Sequence, residues 1–275
     1  GRVLRLMPGE PVTDALDCQL IGDRLATRTI GRALECYAEI DSTNRRAAEW
    51  ARAGAPDGAL VLADSQTAGR GRLGRRWHAP GGSSLLMSLI LRPALAPAQA
   101  QRAVMVCALG LTEAIDALGL RAGIKWPNDV QLGGKKVAGL LAELGVVGQR
   151  LDYVVVGMGL NVNLDVTALP ETLSPATSLS AELGRPVARI GLLLHILERI
   201  EAHADALRTG GSPLAPWRAR LLTLGQPVRV GTADEVIEGW AVDTNEDGAL
   251  VVATSAGERR TVLAGDVTLR AGDLL

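Results

Sequence analysis

Cross-links and metal centres are the first things this sequence is short of. Its three cysteines, Cys18, Cys36 and Cys107, are dispersed, odd in number and form no CxxC pair. That pattern argues against a disulfide framework and makes the cytoplasm the natural compartment. The histidines, His78, His195 and His203, are scattered without metal-ligand spacing, so a zinc site is not expected. No apolar run is long enough to cross a bilayer, and no charged segment leads into a short apolar one at the start, as a secretory signal would. An excess of positive charge is also missing. The formal net charge is -1, which argues against a broad basic face and against nucleic acid as a partner. Internal repeats and low-complexity stretches are lacking too, apart from a general richness in Ala, Leu and Arg.

What remains is a chain of 275 residues, 47% apolar and 21% charged, which fits one catalytic body with a small appended module. Residues 16–25 read as a helix. Asp41, Ser42, Thr43 and Asn44 offer N-caps for an Ala-rich amphipathic helix that runs to Gly54. Apolar runs at 59–63 and 84–91 read as buried strands on either side of a Gly/Arg-rich loop, residues 67–77. A long helix is predicted over 97–118. Strands follow at 123–126, 130–132 and 136–144, the last two joined by Gly133-Gly134, a pair suited to a tight hairpin. A strand at 153–156 leads into a glycine-rich stretch, 157–163, and helices resume at 190–207 and 216–224. From Gly225 the texture changes to short strands at 228–230, 237–242, 250–253 and 260–263 with period-2 alternation. The predicted class is α+β: a mixed central β-sheet with flanking helices, plus a small C-terminal β-barrel of SH3-like size.

Four segments carry chemistry. In Gly69-Arg70-Gly71-Arg72-Leu73-Gly74-Arg75-Arg76-Trp77, glycines allow close backbone approach and guanidiniums supply bidentate anion contacts. The spacing is neither a P-loop nor a dinucleotide fingerprint, and a solvated surface loop would share this composition. Trp77 is either a core residue or an aromatic cover for a base. Lysine occurs only at Lys125, Lys135 and Lys136, every other long cation being arginine. Either the residues cluster by chance or a compact ammonium is kept where a planar fork would not fit. Lys125-Trp126-Pro127-Asn128-Asp129 ends a strand, where loops usually carry sites. Gly157-Met158-Gly159-Leu160-Asn161-Val162-Asn163 reads as backbone open to a ligand or, equally, as a bulge that bends the strand.

Taken together and in this order, these segments resemble the catalytic and C-terminal domains of the biotin protein ligases over roughly residues 35–275. The landmarks are residues 41–44, the loop 66–77, Lys125 to Asp129, Lys135-Lys136-Val137-Ala138-Gly139 and Gly157 to Asn163. The resemblance implies a class II synthetase-like biotin/lipoate ligase fold, with an N-terminal extension (1–35), a catalytic domain (36–224) and an SH3-like domain (225–275). It implies biotin and ATP as substrates with Mg2+, biotinoyl-5'-AMP as the intermediate, and transfer to a lysine of a biotin carboxyl carrier protein. It implies that Ser42, Thr43, Gln66, Gly69, Gly139, Gly157 and Gly159 hold biotin, with Arg70 over its carboxylate. By the same resemblance Lys136 is the essential lysine, catalytic together with Arg70 and Arg72. Arg72, Arg75, Trp77, Asn128 and Asn161 fall where the family contacts the nucleotide, and Asp129 is a candidate for organising magnesium or polarising the incoming lysine.

Members that double as repressors carry a helix-turn-helix domain ahead of the core. Only about 40 residues precede Ser42, so the expected type is monofunctional, without operator binding. Family members often dimerise through the central sheet, which makes a homodimer an expectation here too. The rivals are a lipoate protein ligase of the same superfamily, or a biotin-binding regulator without catalysis.

Overall fold

The computed structural model describes residues 15–168, 175–232, 235–263 and 265–269. Residues 1–14 of the expected extension and 270–275 of the expected C-terminal module lie outside them. In chain order the first elements are α1 (Cys18–Arg24), β1 (Leu34–Ile40), α2 (Thr43–Arg52), β2 (Leu60–Gln66), β3 (Ser84–Leu91) and α3 (Gln101–Asp116). Then come β4 (Ala122–Lys125), β5 (Asp129–Leu132), β6 (Lys135–Val147), β7 (Arg150–Asn161), α4 (Leu179–Leu183), α5 (Arg189–Arg208) and α6 (Leu214–Ala219). The chain closes with β8 (Pro227–Gly231), β9 (Val236–Thr244), β10 (Leu250–Ala253), β11 (Arg259–Val262) and β12 (Asp266–Leu269).

The first seven strands form one mixed sheet in the order β1-β2-β3-β7-β6-β5-β4, with β1 parallel to β2 and the other neighbours antiparallel. β3 is buried at every position, the mark of a strand covered on both faces. On one face α2 presents Ala47, Ala48 and Ala51, whose small side chains let the helix lie close to Val61, Ile90 and Val155. On the other face α3 and α5 pack together over the larger core. The N-terminus of α5 is tied to β2 by the buried Arg189, whose Nη1 reaches Asp64 Oδ1 at 2.6 Å. These placements bring the end of β2, the start of α2 and the middle of β6 and β7 to one spot, where the site lies.

Several expectations match and several change. Gly133 and Gly134 both take positive φ, +53° and +79°, as a two-residue hairpin between β5 and β6 requires. The glycine-rich stretch from Gly157 continues β7 as far as Asn161. Gly157 and Gly159 pair in regular register with Ser88 and Leu86 of β3 and with Leu141 and Gly139 of β6. No bulge occurs there; the register shift in this hairpin falls at Gly145/Val146. β1 escapes the sequence pattern because, as an edge strand, most of it is half-buried rather than alternating. Cys18 and Cys36 form a disulfide joining α1 to β1, with a Cα–Cα separation of 5.7 Å. The cysteine count gives no sign of that pair and therefore no argument for a reducing compartment.

The last five strands form an antiparallel sheet in the order β11-β10-β9-β8-β12. Among the described residues β11 and β12 do not pair with each other, so the sheet is open rather than a closed barrel. It is fastened to the catalytic body at Trp126, whose Nε1 donates to Gly248 O at 2.9 Å and whose N–H donates to Thr223 Oγ1 at 2.9 Å. Among the described residues no helix is long and apolar enough to cross a membrane.

Candidate functional site

The site begins at the N-terminus of α2. Ser42 is the extended N-cap residue, and its Oγ accepts from Arg45 N–H. Thr43 opens the helix, and both its N–H and its Oγ1 donate to Gln66 Oε1 at the end of β2, at 2.7 and 3.1 Å. Ser88 of β3 lies beneath: its Oγ is 2.8 Å from Thr43 Oγ1 and donates to Asn44 Oδ1 at 2.6 Å. Ser42, Thr43, Asn44 and Ser88 are buried and Gln66 is half-buried, and their mutual hydrogen bonds make the wall rigid and polar. A cleft opens against it, continued on the sheet side by Met87, Gly139, Leu141, Gly157, Met158 and Gly159.

The arginine loop closes the other side. It is pinned at its base by Trp77 N–H donating to Gly69 O and by Gly71 N–H donating to Arg75 O. The Trp77 indole lies so close over β6 and β7 that a Cβ on Gly159 would stand 2.5 Å from its Cε2 and one on Gly139 3.1 Å from its Cζ3. Glycine at those positions is what lets an aromatic plane lie against the sheet. Around this ring stand the cations. Lys136 Nζ is 5.5 Å from the ring centroid and 2.7 Å from Asp129 Oδ1. Arg72 Nη1 donates to Asn128 Oδ1 at 3.2 Å, next in sequence to that carboxylate. Arg70 Nη2 donates to Glu143 Oε1 at 2.9 Å. The indole thus covers the glycines of the cleft floor. A ring-bearing acid can lie against Gly139 and Gly159 only if the loop shifts.

A polar cap, a narrow apolar slot walled by glycines and a ring of cations suit a small acid and an anionic co-substrate. The free thiol, Cys107, is buried in α3 and its pKa is pushed up by that burial, so it offers no nucleophile.

Comparison with known proteins gives the family. Residues 37–161 match the model of the biotin/lipoate A/B protein ligase family, and residues 223–270 match that of the biotin protein ligase C terminal domain. A biotin--[acetyl-CoA-carboxylase] ligase from Paracoccus denitrificans is 38% identical over 246 residues, covering 84% of this chain and 98% of that protein. This chain belongs to the biotin protein ligase family. The bifunctional ligase/repressor BirA of Bacillus subtilis is 35% identical, over 89% of this chain and 76% of its own length. Among solved structures, a biotin protein ligase from Aquifex aeolicus in complex with biotin and ATP superposes with a TM-score of 0.74 at 31% identity, covering 88% of this chain and all of that one.

Of the residues singled out for a biotin protein ligase, the fold brings Ser42, Thr43, Gln66, Arg70, Trp77, Gly139, Gly157 and Gly159 to the cleft wall. Lys136, Asp129, Asn128 and Arg72 gather at its rim through the contacts above. Gly69 does not line the cleft; it accepts from Trp77, and a Cβ there would lie 2.8 Å from Trp77 O. Arg75 lies exposed on the outer turn of the loop. Asn161, almost fully buried, donates from Nδ2 to Thr177 O at 3.0 Å, while its Oδ1 has no hydrogen-bond partner among the described residues. Three contributors carry no role in the sequence reading: Asn44, Ser88 and Glu143. Asn44 stands inside the landmark at 41–44, so its neighbours pointed to it. Ser88 and Glu143 each sit in a mostly apolar strand, and nothing in their local sequence marks them.

Proposed function

We propose that this chain is an ATP-dependent biotin protein ligase acting on a carboxyl carrier protein. The observation that carries this is the pairing of the polar α2–β2–β3 wall with cations gathered around Trp77 on one cleft. Biotin lies in the slot with its ureido ring toward Ser42, Thr43, Asn44 and Gln66, which supply donors and acceptors, and its apolar body against Met87, Leu141 and Met158. Its carboxylate points to the rim. There an oxygen attacks the α-phosphorus of ATP, a P–O bond forms and pyrophosphate leaves, giving the acyl-adenylate. Two anions meet in that step, and Lys136, Arg70 and Arg72 offset their repulsion. The lysine amine of the carrier then attacks the carbonyl carbon, the amide forms and AMP leaves, while Asp129 stands ready to take the proton the amine gives up. The buried Asn161 Oδ1 and Trp77 Nε1, without a hydrogen-bond partner among the described residues, fit a further ligand with hydrogen-bonding groups, and we assign them to the adenylate side of the cleft.

Magnesium belongs to this reading only as the counter-ion of the nucleotide. The described residues hold no cluster of metal ligands, and Asp129, the lone candidate, is already paired with Lys136, so the donor set does not fit a resident ion. Nucleic acid is outside this reading, and ATP as co-substrate goes with a cytoplasmic setting. The C-terminal sheet is taken as the family's SH3-like module. A homodimer is supported by β6: from residue 141 onward it pairs only with β7 among the described residues, leaving an edge that carries the exposed Leu144, Val146 and Val147.

The test is direct. The protein is mixed with ATP, magnesium and either biotin or lipoate, and the acyl-adenylate is sought by mass spectrometry. Reaction with biotin alone is the expected result. Reaction with lipoate alone would move the chain to the sister activity, and tight biotin binding with no adenylate would make it a sensor.

A further inference from the structure

Glu143 stands just outside the cleft, on β6 one alternation beyond Leu141, which lines it. Its Oε1 is a meeting point. It accepts from Arg70 Nη2 of the arginine loop at 2.9 Å and from Asn44 Nδ2 of α2 at 3.1 Å. Asn44 is itself fixed, its Nδ2 also reaching Leu141 O at 3.2 Å and its Oδ1 receiving Ser88 Oγ at 2.6 Å. One carboxylate oxygen thus joins the movable side of the site to its most rigid wall.

We propose that Glu143 is a positioning residue that latches the arginine loop over the cleft through Arg70. Three observations converge on this. The loop must shift for a ring-bearing acid to lie against Gly139 and Gly159, because Trp77 covers both. Side chains tie the loop to the sheet region, Arg70 to Glu143 on β6, Arg72 to Asn128 just ahead of β5, and Trp77 against Lys136 of β6. The Arg70–Glu143 pair is also part-exposed, 47% and 33% by side chain, which leaves it strong enough to bias the loop and weak enough to release it. Ion pairs of this exposure shift an equilibrium by roughly 1.5- to 5-fold. Glu143 lines no part of the cleft, so its influence on a bound acid passes through Arg70 and Asn44. What it implies for biotin rests on the ligase reading above; the latch itself does not.

The test uses the full chain with Glu143→Gln, Arg70→Ala and both together. Glu143→Gln leaves an oxygen for Asn44 and removes the charge that holds Arg70. Without ligand, trypsin cleavage after Arg72, Arg75 or Arg76 is expected to quicken by about 2- to 5-fold, with the melting temperature unchanged. With biotin, dissociation is expected to quicken by a similar factor at low ionic strength and by much less at about 1 M salt, where the screening length is about 3 Å. In the Arg70→Ala background the second substitution should add nothing. Unchanged cleavage and dissociation would overturn the latch, as would slower dissociation or an equal effect in the Arg70→Ala background. If the unaltered chain fails to bind biotin, the ligase reading falls while the trypsin comparison still decides the latch.

Discussion

Replacing Gly157 by alanine is the sharpest probe of how the sheet shapes the cleft. Gly157 lies in β7 with Ser88 on one side and Leu141 on the other, so its backbone is paired in both directions and cannot retreat. A methyl group there would stand 2.0 Å from Asn44 Oδ1 and 2.7 Å from Asn44 Cγ, far inside van der Waals contact. Asn44 must therefore give way and abandon its bonds with Ser88, Leu141 and Glu143. Overpacking of this kind costs about 1–3 kcal/mol, and stranding buried amide partners costs about 1–3 kcal/mol more, so a loss of roughly 2–6 kcal/mol follows. At about 2–4 °C per kcal/mol for chains approaching this size, the melting temperature should fall by roughly 4–24 °C. Biotin affinity should fall by at least about tenfold, because Asn44 moves together with the wall that includes Thr43 and Ser88. Thermal unfolding by circular dichroism and equilibrium biotin binding read the two effects. In an Asn44→Ala background the obstruction is gone, and Gly157→Ala should then cost less than about 1 kcal/mol. A variant that melts within about 1 °C of the parent and binds biotin normally would refute the reasoning, as would an equal penalty in the Asn44→Ala background.

Lys136→Ala should reduce biotin-dependent pyrophosphate exchange by at least about a hundredfold while the chain stays folded, since the loss is one of charge at a part-exposed rim; near-normal exchange would remove Lys136 from the catalytic set. Glu201 caps the turn at Arg28 to Ile30. Burial opposes its ionisation, but the N–H groups of Thr29, Arg28 and Ile30 outweigh that and hold its pKa below the usual value. A depressed carboxyl pKa stabilises the fold above the unfolded value of about 4.3 and ceases to do so as pH falls through the folded one. Glu201→Gln should therefore melt lower than the parent at neutral pH, with the gap closing below about pH 4; a gap independent of pH would contradict this. Trp126→Phe keeps an aromatic ring in the buried site but loses the pyrrole part of the indole and its bond to Gly248 O, and should destabilise by about 1–3 kcal/mol while slowing adenylate formation, because Asn128 and Asp129 lie just beyond Pro127; denaturant melts and single-turnover assays check the two effects.

Much of this molecule is written in its local sequence. β3, α3 and α5 follow from apolar runs and helical period, and the β5–β6 hairpin follows from two glycines whose positive φ only that residue adopts cheaply. The composition of the arginine loop and the lysine pair left a surface loop and a chance cluster open as readings; it is the fold that sets Arg70, Arg72 and Lys136 around one aromatic ring. At Gly157 to Asn161 the sequence left a bulge as likely as backbone open to a ligand: glycine weakens a strand in isolation, but here it is kept in regular strand so that Asn44 and Trp77 can lie against the sheet. β1 was missed for a related reason, because an edge strand takes its identity from the neighbour it pairs with rather than from a clean alternation.

By itself, then, the sequence determined the class of fold, the order of the landmarks and the kinds of groups available to the chemistry, because those depend on residues close together along the chain. Only the tertiary structure decided which of the three lysines faces the ring, that Cys18 meets Cys36, and that Ser88, Asn44 and Glu143 belong to the site. Each of those depends on two strands or a strand and a helix being brought side by side from distant parts of the chain. Local pattern carries no information about such a meeting until the sheet has chosen its order.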